Sequence, residues 1–232
     1  LARETGMDNL CLAGGVALNC VANGKVLRDG AFKNIWIQPA AGDAGGALGA
    51  APTAHHLFQG QPRKVEKGRD AMSGAYLGPA FSQTQIETGL REAGARFKTL
   101  GEAEVITAVA QALADGKAVG WFQGRMEFGP RALGGRSILG DPRSPDMQKM
   151  LNLKVKYRES FRPFAPSVLG EAVGDWFDLD GDSPYMLLVA DVQAKRRREM
   201  TAAEQALFGI EKLNVPRSEI PAVTHVDYSA RV

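Results

Sequence analysis

The sequence predicts a mixed fold, α/β over residues 1–58 and α+β beyond, and three observations carry that prediction. Hydrophobic residues make up 44% and charged residues 23% of the 232, near the averages of folded globular chains. Strand-like and helix-like segments alternate through residues 1–58, the pattern of strands layered with helices. Composition then shifts near residue 60, from a Gly/Ala-rich stretch with few charges to one richer in charge, aromatics and proline.

These features exclude a disordered, collagen-like or coiled-coil chain, and no run approaches the ~18 apolar residues of a membrane span. A net charge of +2 is too small to argue by itself for nucleic acid or a membrane surface. Cys11 and Cys20 cannot frame a chain of this length with disulfides, and they read as thiols of a reducing, cytoplasmic compartment. The opening Leu1-Ala2-Arg3-Glu4 has no initiator Met and reads as the middle of a helix. The chain is therefore expected to be an internal piece of a longer protein, with any targeting signal outside it.

Residues 9–12 read as a buried strand ending at Gly14-Gly15, and 19–28 as a helix. A strand at 35–38 and a helix at 43–58 follow. Residues 59–70 have no apolar periodicity and read as an exposed linker, so domains are expected at 1–58 and 73–232 with 59–72 between them. Apolar spacing marks amphipathic helices at 83–93 and 103–114. Strands are expected at 118–122, 137–139, 166–169 and 185–191, and a helix at 147–153.

Paired glycines in Leu12-Ala13-Gly14-Gly15-Val16-Ala17-Leu18-Asn19 sit between strand and helix. Such a turn lets backbone approach an anion at a helix N-terminus, or is simply tight. The pattern is neither Gly-x-Gly-x-x-Gly nor a Walker A loop. Asp43 stands at the next helix start, either as an N-cap or as a carboxylate facing a metal. His55 and His56 are neighbours pointing about 100° apart and do not form a metal pair.

From Gly124 to Arg162 there are nine basic residues (Arg125, Arg131, Arg136, Arg143, Lys149, Lys154, Lys156, Arg158, Arg162) and four acidic ones, a local charge of +5 against −3 elsewhere. A solvated basic face is one reading. Interleaving with Phe128, Pro130, Phe161, Pro163 and Phe164 favours the other, rigid guanidinium forks for phosphate or carboxylate. His225 is the one histidine beyond the first segment, so neither a Ser-His-Asp set nor a zinc spacing is evident there. The chemistry read is electrostatic: cations neutralise a polyanion such as a nucleoside triphosphate, and a phosphoryl, adenylyl or acyl group moves without a protein nucleophile.

The run Gly-Arg-Met-Glu-Phe-Gly-Pro-Arg-Ala-Leu-Gly-Gly-Arg-Ser-Ile-Leu-Gly-Asp-Pro-Arg at 124–143 resembles the signature of the O-carbamoyltransferases of nodulation-factor and antibiotic biosynthesis. Residues 156–167 are similar to that family's second block and 220–231 to its third, with Tyr228 where glycine is common. Gly14-Gly15-Val16-Ala17-Leu18-Asn19 and Gly42-Asp43-Ala44-Gly45 resemble the nucleotide-side loops of its actin-like domain. The resemblance implies the C-terminal edge of an actin/sugar-kinase-like (ASKHA) domain over 1–58 and a YrdC-like domain over 73–232.

It also implies an O-carbamoyltransferase that uses ATP, with Mg, and carbamoyl phosphate to form carbamoyl adenylate. The carbamoyl group then passes to a hydroxyl of a small-molecule acceptor, a secondary metabolite or sugar. By the same resemblance Arg131, Lys156 and Arg158 are catalytic, and Arg125, Arg136, Arg162, Ser229 and Arg231 bind the phosphates. Gly14, Gly15 and Asn19 would hold the adenylate, and Asp43 would ligate iron or another divalent metal. Glu127 and Glu159 would orient neighbouring arginines. The family's metal-binding histidines and a final block fall outside residues 1–232, so these residues alone are expected to be inactive in transfer. Two alternatives are a threonylcarbamoyl-adenylate relative of tRNA modification and a module tracking a nucleic-acid backbone. The modest charge and the Pro-Phe setting disfavour the latter. No membrane partner is expected.

Overall fold

A computed structural model describes residues 1–65, 68 and 70–232. Of the expected linker, Glu66, Lys67 and Arg69 lie outside the described residues, and 59–65 are exposed.

After a single turn of helix, α1 (Ala2–Thr5), stopped by left-handed Gly6, come β1 (Asn9–Leu12) and β2 (Asn34–Ile37), which pair in parallel with Leu10 opposite Ile35. A parallel pair needs a crossover, and α2 (Cys20–Asp29) supplies it. Asn19 Oδ1 caps α2 by accepting the Ala22 N–H at 3.1 Å, and Gly30, at φ 69°, ends it. Strand β1 forms where expected but is not buried: its residues alternate exposed and half-buried, because the sheet has two strands and open faces. The helix expected over 43–58 is divided. The α-helical part, α3 (Asp43–Pro52), ends at Pro52, which has no N–H to donate, and a wider π turn continues over Thr53–Phe58.

Helix α4 (Gln83–Glu92) opens with a capping box: Ser82 Oγ accepts the Gln85 N–H at 3.3 Å and Gln85 Oε1 accepts the Ser82 N–H at 2.8 Å. Glu104 Oε2 accepts the Gly101 N–H at the start of α5 (Glu102–Ala114). Strands β3 (Val119–Phe122) and β4 (Arg136–Leu139) pair antiparallel around a long loop. Helix α6 (Met147–Met150) passes into a second π turn, Leu151–Val155. The strand expected at 166–169 does not form; Pro163 and Pro166 offer no N–H, and the segment has no ladder partner.

After α7 (Val173–Trp176), the strand expected at 185–191 shrinks to β5 (Val189–Asp191). Short helices α8 (Ala202–Ala206) and α9 (Gly209–Leu213) precede β6 (Ser229–Arg231), which pairs antiparallel with β5.

One core joins the two halves of the chain: Ala17, Ile37 and Ala41 pack with Met72, Ala75, Tyr185 and Leu187. A second gathers Phe177, Ala190, Val192, Ile220, Val223 and Ala230. Phe177 is 1% exposed, and burying a side chain of that size contributes about 1.5–3 kcal/mol. Helix α2 lies against β5. Buried Asn23 donates from Nδ2 to Ala17 O (2.8 Å) and Leu187 O (3.0 Å), and Arg28 Nη1 donates to Val189 O at 2.8 Å. No helix among the described residues is long and apolar enough to cross a membrane.

Candidate functional site

The loop between β3 and β4 is wound around one carboxylate. Glu127, 7% exposed, accepts at Oε1 the N–H groups of Leu133 (2.9 Å), Gly135 (2.6 Å) and Arg136 (3.2 Å). Burial pushes its pKa up, but these backbone donors outweigh burial and hold the carboxyl below its ordinary range. Gly135 has to be glycine, since a Cβ would lie 2.8 Å from Arg125 O and 3.1 Å from Glu127 Cδ. At the tip, Gly129 (φ 119°) passes Ala40 so closely that a Cβ would sit 3.2 Å from Ala40 Cβ. Arg131 then reaches across to the first segment, donating from Nη2 to Leu18 O at 2.9 Å. Glu127 thus orders the loop's backbone amides, not a guanidinium as the sequence suggested.

Arg158 is set by Asn152, which is completely buried. Asn152 Nδ2 donates to Ser160 O and Arg162 O, and its Oδ1 accepts from Arg158 Nε at 2.6 Å. The Arg158 guanidinium also lies 4.9 Å over the Phe164 ring. Arg231 comes from β6. Burial pushes its pKa down, the guanidiniums of Arg131 and Arg158 push it the same way, and only Cys20 opposes them.

Arg131 and Arg158 therefore both act on Arg231, across 100 residues of sequence (131 to 231), beside Leu18-Asn19-Cys20 at the start of α2, and no carboxylate among the described residues is seen to offset them. The Nε groups of Arg131 and Arg231 are buried with no partner among the described residues. Guanidiniums stay charged, so unpaired donors in a partly buried setting are chemically suited to receive an anion. The N-terminus of α2 adds potential of the same sign.

The other expected residues have different surroundings. Arg136 donates to Gln123 O, Gly124 O and Gly135 O and stacks 3.3 Å from the Phe122 ring centroid, so most of its guanidinium is engaged. Arg162 pairs with Glu159 at 3.1 Å on the surface. Arg125 and Lys156 are exposed. Gly14 (φ 91°) and Gly15 face open space, since a Cβ on either would meet nothing within 4 Å. The side chain of Asn19 is engaged as the α2 cap. Asp43 is exposed at the first position of α3, where Gly42 takes the N-cap place. Among the described residues no group of three His, Cys, Asp or Glu could hold a metal ion. Asp43 alone does not make a metal site.

Ser229 is buried and lies two residues from Arg231 on β6, hence on the same face. Its hydroxyl donates to Asp227 Oδ1 at 2.6 Å, and its Oγ lies 3.0 Å from His225 Nδ1. Burial raises Asp227, but the Ser229 hydroxyl and N–H, with His225, hold it below its ordinary value. His225 is pushed below its ordinary value mainly by burial, with Arg231 and Arg217 adding to the effect against Asp227. Sequence reading missed this turn. Its signal is the alternation of His225, Asp227 and Ser229, which puts the three at i, i+2 and i+4. It also missed Arg217, 1% exposed, which donates only to carbonyls, among them Lys212, Val215, Thr224 and His225.

The family described as "Carbamoyltransferase C-terminus" matches residues 110–232, and "Carbamoyltransferase N-terminus" matches 1–52. An uncharacterized protein of Synechocystis sp. is 62% identical over 99% of this chain and 37% of its own length. Nodulation protein NolO of Bradyrhizobium diazoefficiens is 42% identical over 99% of this chain and 38% of its own. Nodulation protein U of Rhizobium tropici is 36% identical over 98% of this chain and 33% of its own. The chain spans about a third of the length of these relatives.

Proposed function

The chain belongs to the carbamoyltransferase family, and from that premise we propose that its arginine cluster activates a carbamoyl group with ATP. In this reading carbamoyl phosphate is hydrolysed to carbamate and phosphate. A carbamate oxygen then attacks the α-phosphorus of ATP, pyrophosphate leaves, and carbamoyl adenylate forms. The adenylate passes its carbamoyl group to a hydroxyl of a small molecule, and AMP is released.

The observation that carries the reading is the approach of Arg131 and Arg158 to Arg231 beside Ser229 and the N-terminus of α2, with two Nε donors orphaned and no offsetting carboxylate among the described residues. Fixed cations of this kind stabilise the charge that builds on phosphoryl oxygens without having to reorganise. Exposed Arg125 and Lys156 flank the same loops and would close on bound phosphates, whereas Arg136 serves chiefly to brace the loop.

The finer fold assignment belongs to the same proposal. Residues 1–58 would be an edge of an actin-like transfer domain, a reading supported by the parallel β1–α2–β2 crossover, and 73–232 a YrdC-like adenylating domain. Asp43 would be one ligand of a divalent metal whose other ligands are not found among the described residues.

The test follows pyrophosphate from the full-length protein with ATP, with and without carbamoyl phosphate. Release that requires carbamoyl phosphate is expected. Release that is independent of it, or appears only with bicarbonate and threonine, overturns the reading.

A further inference from the structure

The turn from His225 to Ser229 fixes the proton of one imidazole. The backbone closes on itself, with the His225 N–H donating to Ser229 O at 2.7 Å and the Tyr228 N–H to His225 O at 3.1 Å. Ser229 has one hydroxyl proton, and it goes to the ionised Asp227 carboxylate at 2.6 Å. The 3.0 Å contact between Ser229 Oγ and His225 Nδ1 then requires the proton on Nδ1. Nε2 is left as a bare lone pair, closed off from water and without a partner among the described residues. Arg217 holds the backbone beneath it, donating from Nε to His225 O at 3.0 Å and from Nη2 to Thr224 O at 2.9 Å. Two carboxylate-linked contacts and a buried guanidinium thus keep one ring in one tautomer, and the product of that effort is a single unmatched acceptor.

Leaving a buried acceptor unmatched is costly, so an arrangement that keeps one is informative. Its nearest counterpart along the strand is an unmatched donor. Arg231 Nε is also buried without a partner, and Arg231 lies on the same face of β6 as Ser229, to which His225 is bonded. The Arg231 guanidinium is near enough to act on the His225 ring through its charge, so one small ligand can meet both groups. Such a ligand carries an oxyanion at one end and an N–H at the other. Carbamoyl phosphate has that form, with its amino group one carbon and one oxygen away from phosphorus. The amino group of ATP is separated from the phosphates by the ribose and does not suit a pair this close.

We propose that His225 recognises the amino end of the carbamoyl substrate, its Nε2 accepting a hydrogen bond from the carbamoyl N–H while Arg231 holds the phosphate. The inference rests on the carbamoyl phosphate reading above. It makes His225 the residue that distinguishes a carbamoyl from an acetyl group, which has the same shape but no N–H.

The test compares two stable phosphonates by calorimetry on the full-length protein: phosphonoacetamide, which carries the amino group, and 2-oxopropylphosphonate, which carries a methyl in its place. The wild type is expected to favour phosphonoacetamide roughly 10- to 100-fold. His225→Asn keeps a side-chain N–H for Ser229 but has no atom where Nε2 was. It should bind both compounds equally, at the wild-type affinity for 2-oxopropylphosphonate. His225→Gln sets an amide oxygen near the Nε2 position and should keep part of the preference. A wild type with no preference, or His225→Asn with the preference intact, overturns the inference. Equal loss of both compounds in His225→Asn makes the ring merely structural and overturns it as well. If the wild type binds neither compound, the carbamoyl phosphate reading itself fails.

Discussion

Replacing Glu127 separates the charge of its carboxylate from its role as an acceptor. All three backbone donors converge on one oxygen, Oε1, at 2.6–3.2 Å, and the residue is 7% exposed. Glu127→Gln keeps an oxygen at that point and loses only the charge assistance. Since bonds to charged groups are worth about 1.5–3 kcal/mol and neutral ones about 1, and neighbouring bonds do not add, the expected cost is about 1–2 kcal/mol. Glu127→Ala leaves three N–H groups without an acceptor, and the expected cost rises to about 3–5 kcal/mol, a large part of the 5–15 kcal/mol that holds a domain together.

Urea unfolding monitored by tryptophan fluorescence and circular dichroism reads both values from the midpoint and slope. The sign with pH follows from the lowered pKa. The carboxylate's contribution is complete above its ordinary 4.5 and is lost as pH falls through the folded value, so the Gln variant should show a flatter acid limb. An alanine variant within 1 kcal/mol of wild type, with the same acid limb, would refute the account of this loop.

Three further outcomes follow from the same geometry. Arg231→Met removes a half-buried cation with an orphaned Nε, so stability should hold or rise while carbamoyl-phosphate-dependent pyrophosphate release falls about 100- to 1,000-fold; a variant with the wild-type rate would remove Arg231 from the site. Gly24→Ala puts a Cβ 2.7 Å from Val189 O, a backbone atom that cannot turn aside, and should lower stability by about 1–3 kcal/mol in thermal melts without changing the affinity for ATP. His225 has a folded pKa below its ordinary 6.5, so the unfolded chain takes up that proton first. Stability is complete above about pH 6.5 and declines as pH falls through the folded value, and His225→Asn should abolish this first decline while leaving the later carboxylate limb.

Local rules were readable in the sequence where they act locally. Apolar spacing put α4 where it forms and the paired glycines follow the end of β1, whereas the change of winding at Pro52 went unread inside the helix expected over 43–58. Segment 166–169 was misread because its apolar residues resemble a strand, whereas forming one needs a neighbour that the fold does not bring. Strand β6 was missed for the converse reason, as three residues carry little pattern and their partner lies about forty positions earlier. The basic stretch was visible as charge, but not its division. Arg136 is taken up by carbonyls one turn of loop away and Arg162 by Glu159, while Arg131 and Arg158 find Arg231 only through tertiary packing. Tyr228 was noted only as an oddity of the third block. Its φ of 65° explains why glycine suits that place, and its ring, 5.3 Å from the Arg197 guanidinium, gives a tyrosine something to hold there.

The seam between α2 and β5 has a consequence for the connectivity of the chain. Asn23, Arg28 and Gly24 on one side meet Leu187 and Val189 on the other through backbone contacts, and Arg131 clasps Leu18 a short distance away. None of these contacts passes through the exposed stretch at 59–65. A protease cut there would sever the polypeptide and leave the halves associated, so the protein can be treated as a pair of complementing fragments. The covalent crossing serves as a tether that raises local concentration, and the arginine cluster belongs to the assembled surface.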